Sequence, residues 1–206
     1  MPQRTRFASN RELRMAVKAP RPKPFGVRMP LAYESEVILS EAFHTLQADG
    51  EIPEKVTPRT NLHVTLYPLR KLDAQLRRGL VIGYEFGKAS AKIENNLKEN
   101  CPKQLIVGIG QAAIIRDRYL AFRVESPELE GHYSSVRKAL GALGVKGTMR
   151  DIEPLHISVG DIEMRLSKYE KHRSTEVLNE FVANNPEMLD HITLDPVEFY
   201  PNAFQP

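Results

Sequence analysis

Leu62-His63-Val64-Thr65-Leu66 and Leu155-His156-Ile157-Ser158-Val159 are two copies of one five-residue pattern, 93 positions apart in a chain of 206 residues. Both alternate strictly between apolar and polar side chains. In an extended strand, residues i and i+2 share a face and their neighbours take the other. The pattern therefore predicts two β-strands, each burying its aliphatic residues and presenting an imidazole and a hydroxyl on the opposite face. Tyr67 continues the polar face after the first copy, and Gly160 holds the corresponding place after the second.

A histidine with Ser or Thr two positions later is a short signal on its own. With 6 His and 18 Ser plus Thr in the chain, chance supplies roughly 0.5 such pairs. Five occur, at His63/Thr65, His132/Ser134, His156/Ser158, His172/Ser174 and His191/Thr193, so context has to separate them. His132 and His172 fall in helical patterns, where i and i+2 do not share a face. His191 precedes a strand, but Asp190 occupies one apolar flank, which makes it the weaker alternative for a second functional histidine. One such strand alone reads as the polar side of a half-exposed sheet. Two matched copies, each in a β-α-β-like setting, suggest a pseudo-symmetric protein with the two strands facing across a cleft.

Working outward, Phe25 to Met29 reads as a strand closed by Pro30. Residues 34–47 carry a helical apolar stripe of Leu39, Ala42, Phe43 and Leu46, stopped by Gly50. Helical stretches are predicted near 72–80 and 84–99. Leu105 to Ile115 and Tyr119 to Glu125 form a hairpin about Arg116-Asp117-Arg118, with Leu120, Phe122 and Val124 alternating against Tyr119, Ala121 and Arg123. Pro127 opens a helix with a stripe of Leu129, Tyr133, Val136, Leu140 and Leu143. A further helix covers about 166–183, and a strand from Ile192 to Tyr200 closes the chain. Mixed α and β elements without a Gly-rich phosphate loop argue against a Rossmann or P-loop nucleotide site.

Composition is that of an ordinary globular chain, 41% hydrophobic with a net charge of +3. The charge is unevenly spread. Residues 1–28 hold eight basic residues against the single acid Glu12, and the remainder has 21 basic against 25 acidic residues. Residues 1–24 are read as a basic arm, with Asn10 capping a short helix and Pro20, Pro22 and Pro24 enforcing an extended linker; residues 25–206 form the folded domain of two lobes. Such an arm can contact nucleic acid by counterion release, or remain a solvated tail. No apolar run reaches the length of a bilayer span and the N-terminus lacks the apolar core of a secretory leader, so a cytoplasmic protein with no membrane association is expected, and a monomer. Cys101, the one cysteine, can form neither an internal disulfide nor a Cys-rich zinc site and is expected to be inert.

Two imidazoles and two hydroxyls suit acid–base chemistry on a phosphorus atom. An imidazole with a pKa of about 6.5 can be neutral in one copy and charged in the other near neutral pH. The neutral ring takes a proton from the attacking hydroxyl or water, and the charged ring gives one to the leaving oxygen. The hydroxyls hold the non-bridging oxygens. No carboxylate or cysteine cluster flanks either histidine at ligand spacing, so neither a metal nor a cofactor is expected.

With these motifs the chain resembles the 2H phosphoesterase superfamily, which includes the bacterial 2′-5′ RNA ligase-like proteins and cyclic nucleotide phosphodiesterases. The likeness spans residues 25–200. It rests on the opening Phe25-Gly26-Val27-Arg28-Met29-Pro30-Leu31, the two His-x-[Ser/Thr] strands, Pro154 ahead of the second, and the closing strand. It implies an α+β fold: duplicated β-α-β units in two pseudo-symmetric lobes, with antiparallel sheets lining a central cleft and helices outside. The implied activity is that of a metal-independent phosphoric diester hydrolase, cleaving 2′,3′-cyclic phosphates or 2′-5′ linkages in RNA ends or small nucleotides. His63, Thr65, His156 and Ser158 would be its catalytic residues. The interval between the motifs is longer than in compact bacterial members, and Glu153 stands where many members carry Arg or another polar residue.

Candidates for substrate binding are Tyr67, placed to stack a base by strand parity, and Tyr200, Arg150 and Arg28. For each, a surface position without function is the plain alternative. Two other readings compete with the leading one. A protein of the same chemistry could cleave cyclic oligonucleotide or 2′-5′ oligoadenylate immune signals, as some viral and phage members do. A non-catalytic RNA-binding module would use only the basic arm.

Overall fold

The computed structural model describes residues 26–68, 83–101, 103–142 and 155–200. The basic arm, the helix expected near 72–80, Leu143, Arg150, Glu153 and Pro154 lie outside the described residues. Strand β1 (Gly26–Pro30) leads into helix α1 (Tyr33–Ala48), the short strand β2 (Val56–Pro58) and the first motif strand β3 (His63–Pro68). Helix α2 (Gly83–Asn100) is followed by the hairpin of β4 (Leu105–Ile115) and β5 (Tyr119–Glu125), and by helix α3 (Pro127–Ala142). The second motif strand β6 (His156–Ile162), helices α4 (Lys168–Asn184) and α5 (Pro186–Leu189), and strands β7 (Ile192–Leu194) and β8 (Glu198–Tyr200) complete the chain.

The strands form one antiparallel sheet in the order β7-β4-β5-β6-β3-β1-β8, with β2 pairing β6 beside β3. Each half has its own strands, β4-β5-β6 and β3-β1-β8, and the two motif strands are the seam between them. The sheet curls. β7 pairs β4 at one edge, and its Leu194 also bridges Leu31, just past the end of β1.

The apolar phases read from the sequence supply the core. Val64 and Leu66 of β3, Ile157 and Val159 of β6, Leu120, Phe122 and Val124 of β5, and Leu39 and Phe43 of α1 are all buried in one cluster. Leu129, Val136 and Leu140 of α3 join it, with Tyr133 packed at its margin. Cys101 is buried at the end of α2, and burial pushes its thiol pKa up, the condition of an unreactive cysteine.

Local chemistry sets the boundaries. Helix α4 starts at Lys168 because Ser167 caps it: its hydroxyl accepts from the Glu170 N–H while the Glu170 carboxylate accepts from the Ser167 N–H. The β4–β5 hairpin turns on Arg116 and Asp117, both at positive φ (55° and 54°), with the Arg118 N–H donating to Ile115 O at 3.0 Å. Two central residues at positive φ follow the twist of the flanking strands. The single closing strand expected over 192–200 is two strands. β7 pairs β4 and β8 pairs β1, on opposite sides of the sheet order, and Asp195-Pro196-Val197 carries the chain between them. Proline cannot donate to a ladder, which is consistent with the break falling there.

Candidate active site

β3 and β6 are hydrogen-bonded neighbours with Val64 opposite Ile157. In an antiparallel pair, moving one residue in opposite directions along the two strands sets His63 opposite Ser158 and Thr65 opposite His156. All four then project from the face opposite Val64 and Ile157. Each histidine sits beside the hydroxyl of the other motif, and the two histidines are diagonal neighbours at about 7–8 Å between backbone positions. The motif strands thus stand side by side rather than as opposing walls.

The register extends this face across the sheet. One row runs Glu198, Arg28, Thr65, His156 and Arg123 over β8, β1, β3, β6 and β5. The next runs Pro30, His63, Ser158, Ala121 and Ala113. Burial follows the rows. Ser158 is 8% exposed and Ala121 fully buried, His63 and His156 are half-buried, and Thr65 and Arg123 are exposed. The centre of the face is sunken and its margin carries the charge.

Three contacts position His63. The Leu62 N–H donates to the Glu36 carboxylate of α1 at 3.1 Å, and the Leu31 N–H donates to Leu62 O at 2.9 Å. Asn61 has φ of 56°, a left-handed conformation that asparagine tolerates. Its carbonyl lies 2.8 Å from His63 Nδ1. A carbonyl only accepts, so Nδ1 carries the proton and Nε2 is the basic nitrogen of the neutral ring.

β6 carries a bulge. Ala121 pairs with Ser158 while the adjacent Leu120 pairs with Gly160, so Val159 is the extra residue. Parity predicts Gly160 on the polar face in the place of Tyr67; the bulge turns it to the core. A Cβ there would meet Val56 Cγ1 at 2.7 Å and the Phe43 ring at 3.0 Å. Past the bulge, Asp161 returns to the polar face opposite Tyr119 and Thr57.

The remaining candidates divide. Arg28 lies in the row with Thr65 and forms an ion pair with Glu198. A register shift between Val27 and Arg28 sets Tyr67 opposite Val27. Tyr200 ends β8 opposite Gly26. His132 and His172 are helical, with His132 Nδ1 donating toward Glu128 O at 3.3 Å. His191 lies in the turn before β7, its Nδ1 3.0 Å from Glu187 O, and β7 is separated from β6 by β4 and β5. Sequence reading did not single out Arg123 and Glu198 as site residues. The alternation of β5 put Arg123 on the polar phase, but its place beside His156 comes from strand pairing. Among the described residues no group of three or more His, Cys, Asp or Glu is placed to hold a metal ion, and no helix is long and apolar enough to cross a membrane.

The mixed helix-and-strand chain with its curled antiparallel sheet is consistent with the 2H phosphoesterase fold. Among solved structures it is similar to the PDE domain of MHV ns2, with a TM-score of 0.51 and 12% identity over 71% of this chain and 82% of that one. Usb1 of Kluyveromyces marxianus aligns over 90% of this chain and 97% of its own at 13% identity and a TM-score of 0.48. E. coli LigT, solved with 3′-AMP, aligns over 70% and 79% at 18% identity and a TM-score of 0.42. The likeness in fold is carried by the first of these. No family model and no curated protein sequence matches the chain.

Proposed function

We propose that the protein is a phosphoric diester hydrolase that needs no metal, acting on 2′,3′-cyclic phosphates or 2′-5′ linkages of RNA ends or small nucleotides. The observation that carries this reading is the Val64–Ile157 register, which makes one polar group of His63, Thr65, His156 and Ser158.

His63 is assigned as the base, since its Nδ1–H donates to Asn61 O and Nε2 is then the ring nitrogen with the lone pair that can take a proton. Nε2 takes the proton of the attacking water as the water oxygen bonds to phosphorus. The bond from phosphorus to the leaving ribose oxygen breaks, and His156, protonated, delivers its proton to that oxygen. Thr65 and Ser158 donate hydrogen bonds to the non-bridging oxygens, whose charge grows in the transition state. Each proton transfer contributes about 10²–10⁴-fold. Arg28 adds positive charge beside Thr65, while Glu198 fixes its guanidinium. Tyr67 and Tyr200 from β3 and β8, and Arg150, are proposed to contact the nucleotide.

The test is a panel of 2′,3′-cyclic nucleotides, 2′-5′ oligoadenylate, cyclic dinucleotides and RNA fragments, assayed in EDTA with the His63→Ala/His156→Ala double variant as control. Turnover that EDTA abolishes and zinc restores overturns the mechanism. Cleavage confined to cyclic dinucleotides or oligoadenylate favours the immune-signal reading, and binding without turnover favours the RNA-binding one. Removing residues 1–24 is expected to leave turnover of a small substrate intact and to weaken salt-dependent RNA binding.

A further inference from the structure

We propose that β5 forms a subsite for the nucleotide next to the reacting phosphate, so that the substrate is a short single-stranded RNA rather than an isolated cyclic nucleotide. This rests on the phosphodiesterase reading above and narrows its substrate.

Tyr119, Ala121 and Arg123 share the face of β5 that continues the His156 and Ser158 side of β6. Arg123, opposite His156, is exposed and makes no ion pair among the described residues. Tyr119 lies four residues further along, about 13 Å by strand rise. Its ring is flanked by two guanidinium groups, Arg59 at 5.2 Å and Arg118 at 5.4 Å from the centroid. Arg59 is anchored by Asp161 at 3.3 Å, and Arg118 is exposed with no acidic partner among the described residues. Between the two ends the face drops to the buried Ala121, flanked by Ala113 and Ser158.

Each part has a use for a nucleic acid strand and little for the core. Tyrosine and arginine planes stack bases of any identity, at about 1–3 kcal/mol per base. An unpaired guanidinium beside the acid–base pair suits the next phosphate, which it can hold in a bidentate grip. The low floor leaves room for the ribose between them. Arg59, Arg118 and Arg123 stand with two carboxylates, Asp161 beside Arg59 and Glu125 two residues beyond Arg123 on the same face, so the track keeps a positive balance even though the chain beyond residue 28 is net acidic.

The experiment compares kcat/KM for a 2′,3′-cyclic mononucleotide with that for a short RNA ending in the same cyclic phosphate. It uses wild type, Arg123→Gln, Tyr119→Leu and Tyr119→Phe, and measures affinity for a labelled single-stranded RNA by fluorescence anisotropy. The expected result is a wild-type preference for the RNA, a fall of about 5- to 150-fold in the RNA-to-mononucleotide ratio for Arg123→Gln and Tyr119→Leu, and retention in Tyr119→Phe. A ratio unchanged in both, whether the two activities fall together or not at all, overturns the proposal. So does a wild type indifferent to the added RNA. Should Tyr119→Leu fail to fold, the exposed Arg123→Gln decides. If neither substrate is cut, the catalytic reading fails, and the anisotropy still judges the subsite: lost affinity supports it, and unchanged affinity rejects it.

Discussion

Val64 and Ile157, 93 residues apart in the chain, lie directly opposite each other across the β3–β6 pair. Their side chains are fully buried, and their neighbours on either side are the four polar residues of the two motifs. Because one face is buried, a slip of one residue would put aliphatic side chains in water, so burial fixes the polar grouping. His63→Ala and His156→Ala are each expected to lower phosphodiester turnover by at least about 10²-fold with melting temperature little changed, since both rings are half-exposed. Turnover at wild-type rate in either variant removes the acid–base pair from the mechanism.

Asn61 holds the tautomer of His63 through its carbonyl, from a left-handed backbone conformation. A β-branched residue pays about 1–3 kcal/mol there. Asn61→Val is expected to reduce kcat by about 10- to 100-fold by misplacing the ring, whereas Asn61→Gly keeps most of it. Steady-state kinetics of the two variants provide the comparison, and equal losses would point to the asparagine side chain instead of the backbone.

Gly160→Ala inserts a methyl group where Val56 and Phe43 leave none. Overpacking of this kind costs about 1–3 kcal/mol, and a domain of this size loses about 2–4 °C of melting temperature per kcal/mol. Calorimetry of the variant checks this. An unchanged transition would mean that β2 and α1 can retreat from β6 at no cost.

Glu170 is held down to about 2 from an ordinary value of 4.5, first by its bond to Lys55 and then by Ser167 of the capping box. A carboxyl with a depressed folded-state pKa stabilises the protein above its unfolded value, and that contribution fades as pH falls toward the folded value. Wild type should therefore exceed Glu170→Gln in stability above about pH 4.5 and converge with it near pH 2. The difference is small, because both side chains of the pair are in partial contact with water and screened by it. Denaturant titrations of both proteins across that window measure it, and a constant gap at all pH values would assign the effect to something other than the charge.

Most elements were legible from local pattern. The alternation in LHVTL, LHISV and 119–125 and the stripes at 33–48 and 127–142 depend on residues close in sequence, and the core took the phase they specify. The same patterns named His63, Thr65, His156 and Ser158. Parity failed at Gly160, because a bulge is a mismatch between two strands and leaves no mark on one of them. The closing segment divided into β7 and β8 because two distant strands, β4 and β1, compete for it.

The amino-acid sequence by itself determined which residues of the two motif strands face inward and which four polar groups take the opposite face, since side-chain direction in a strand follows from backbone geometry alone. Only the tertiary structure decided who stands next to whom: His63 beside Ser158, Thr65 beside His156, Arg28 against Glu198, Arg123 at the open margin. Those adjacencies depend on hydrogen-bonded register between segments as many as 170 residues apart, and register is set by the burial of the whole sheet face at once.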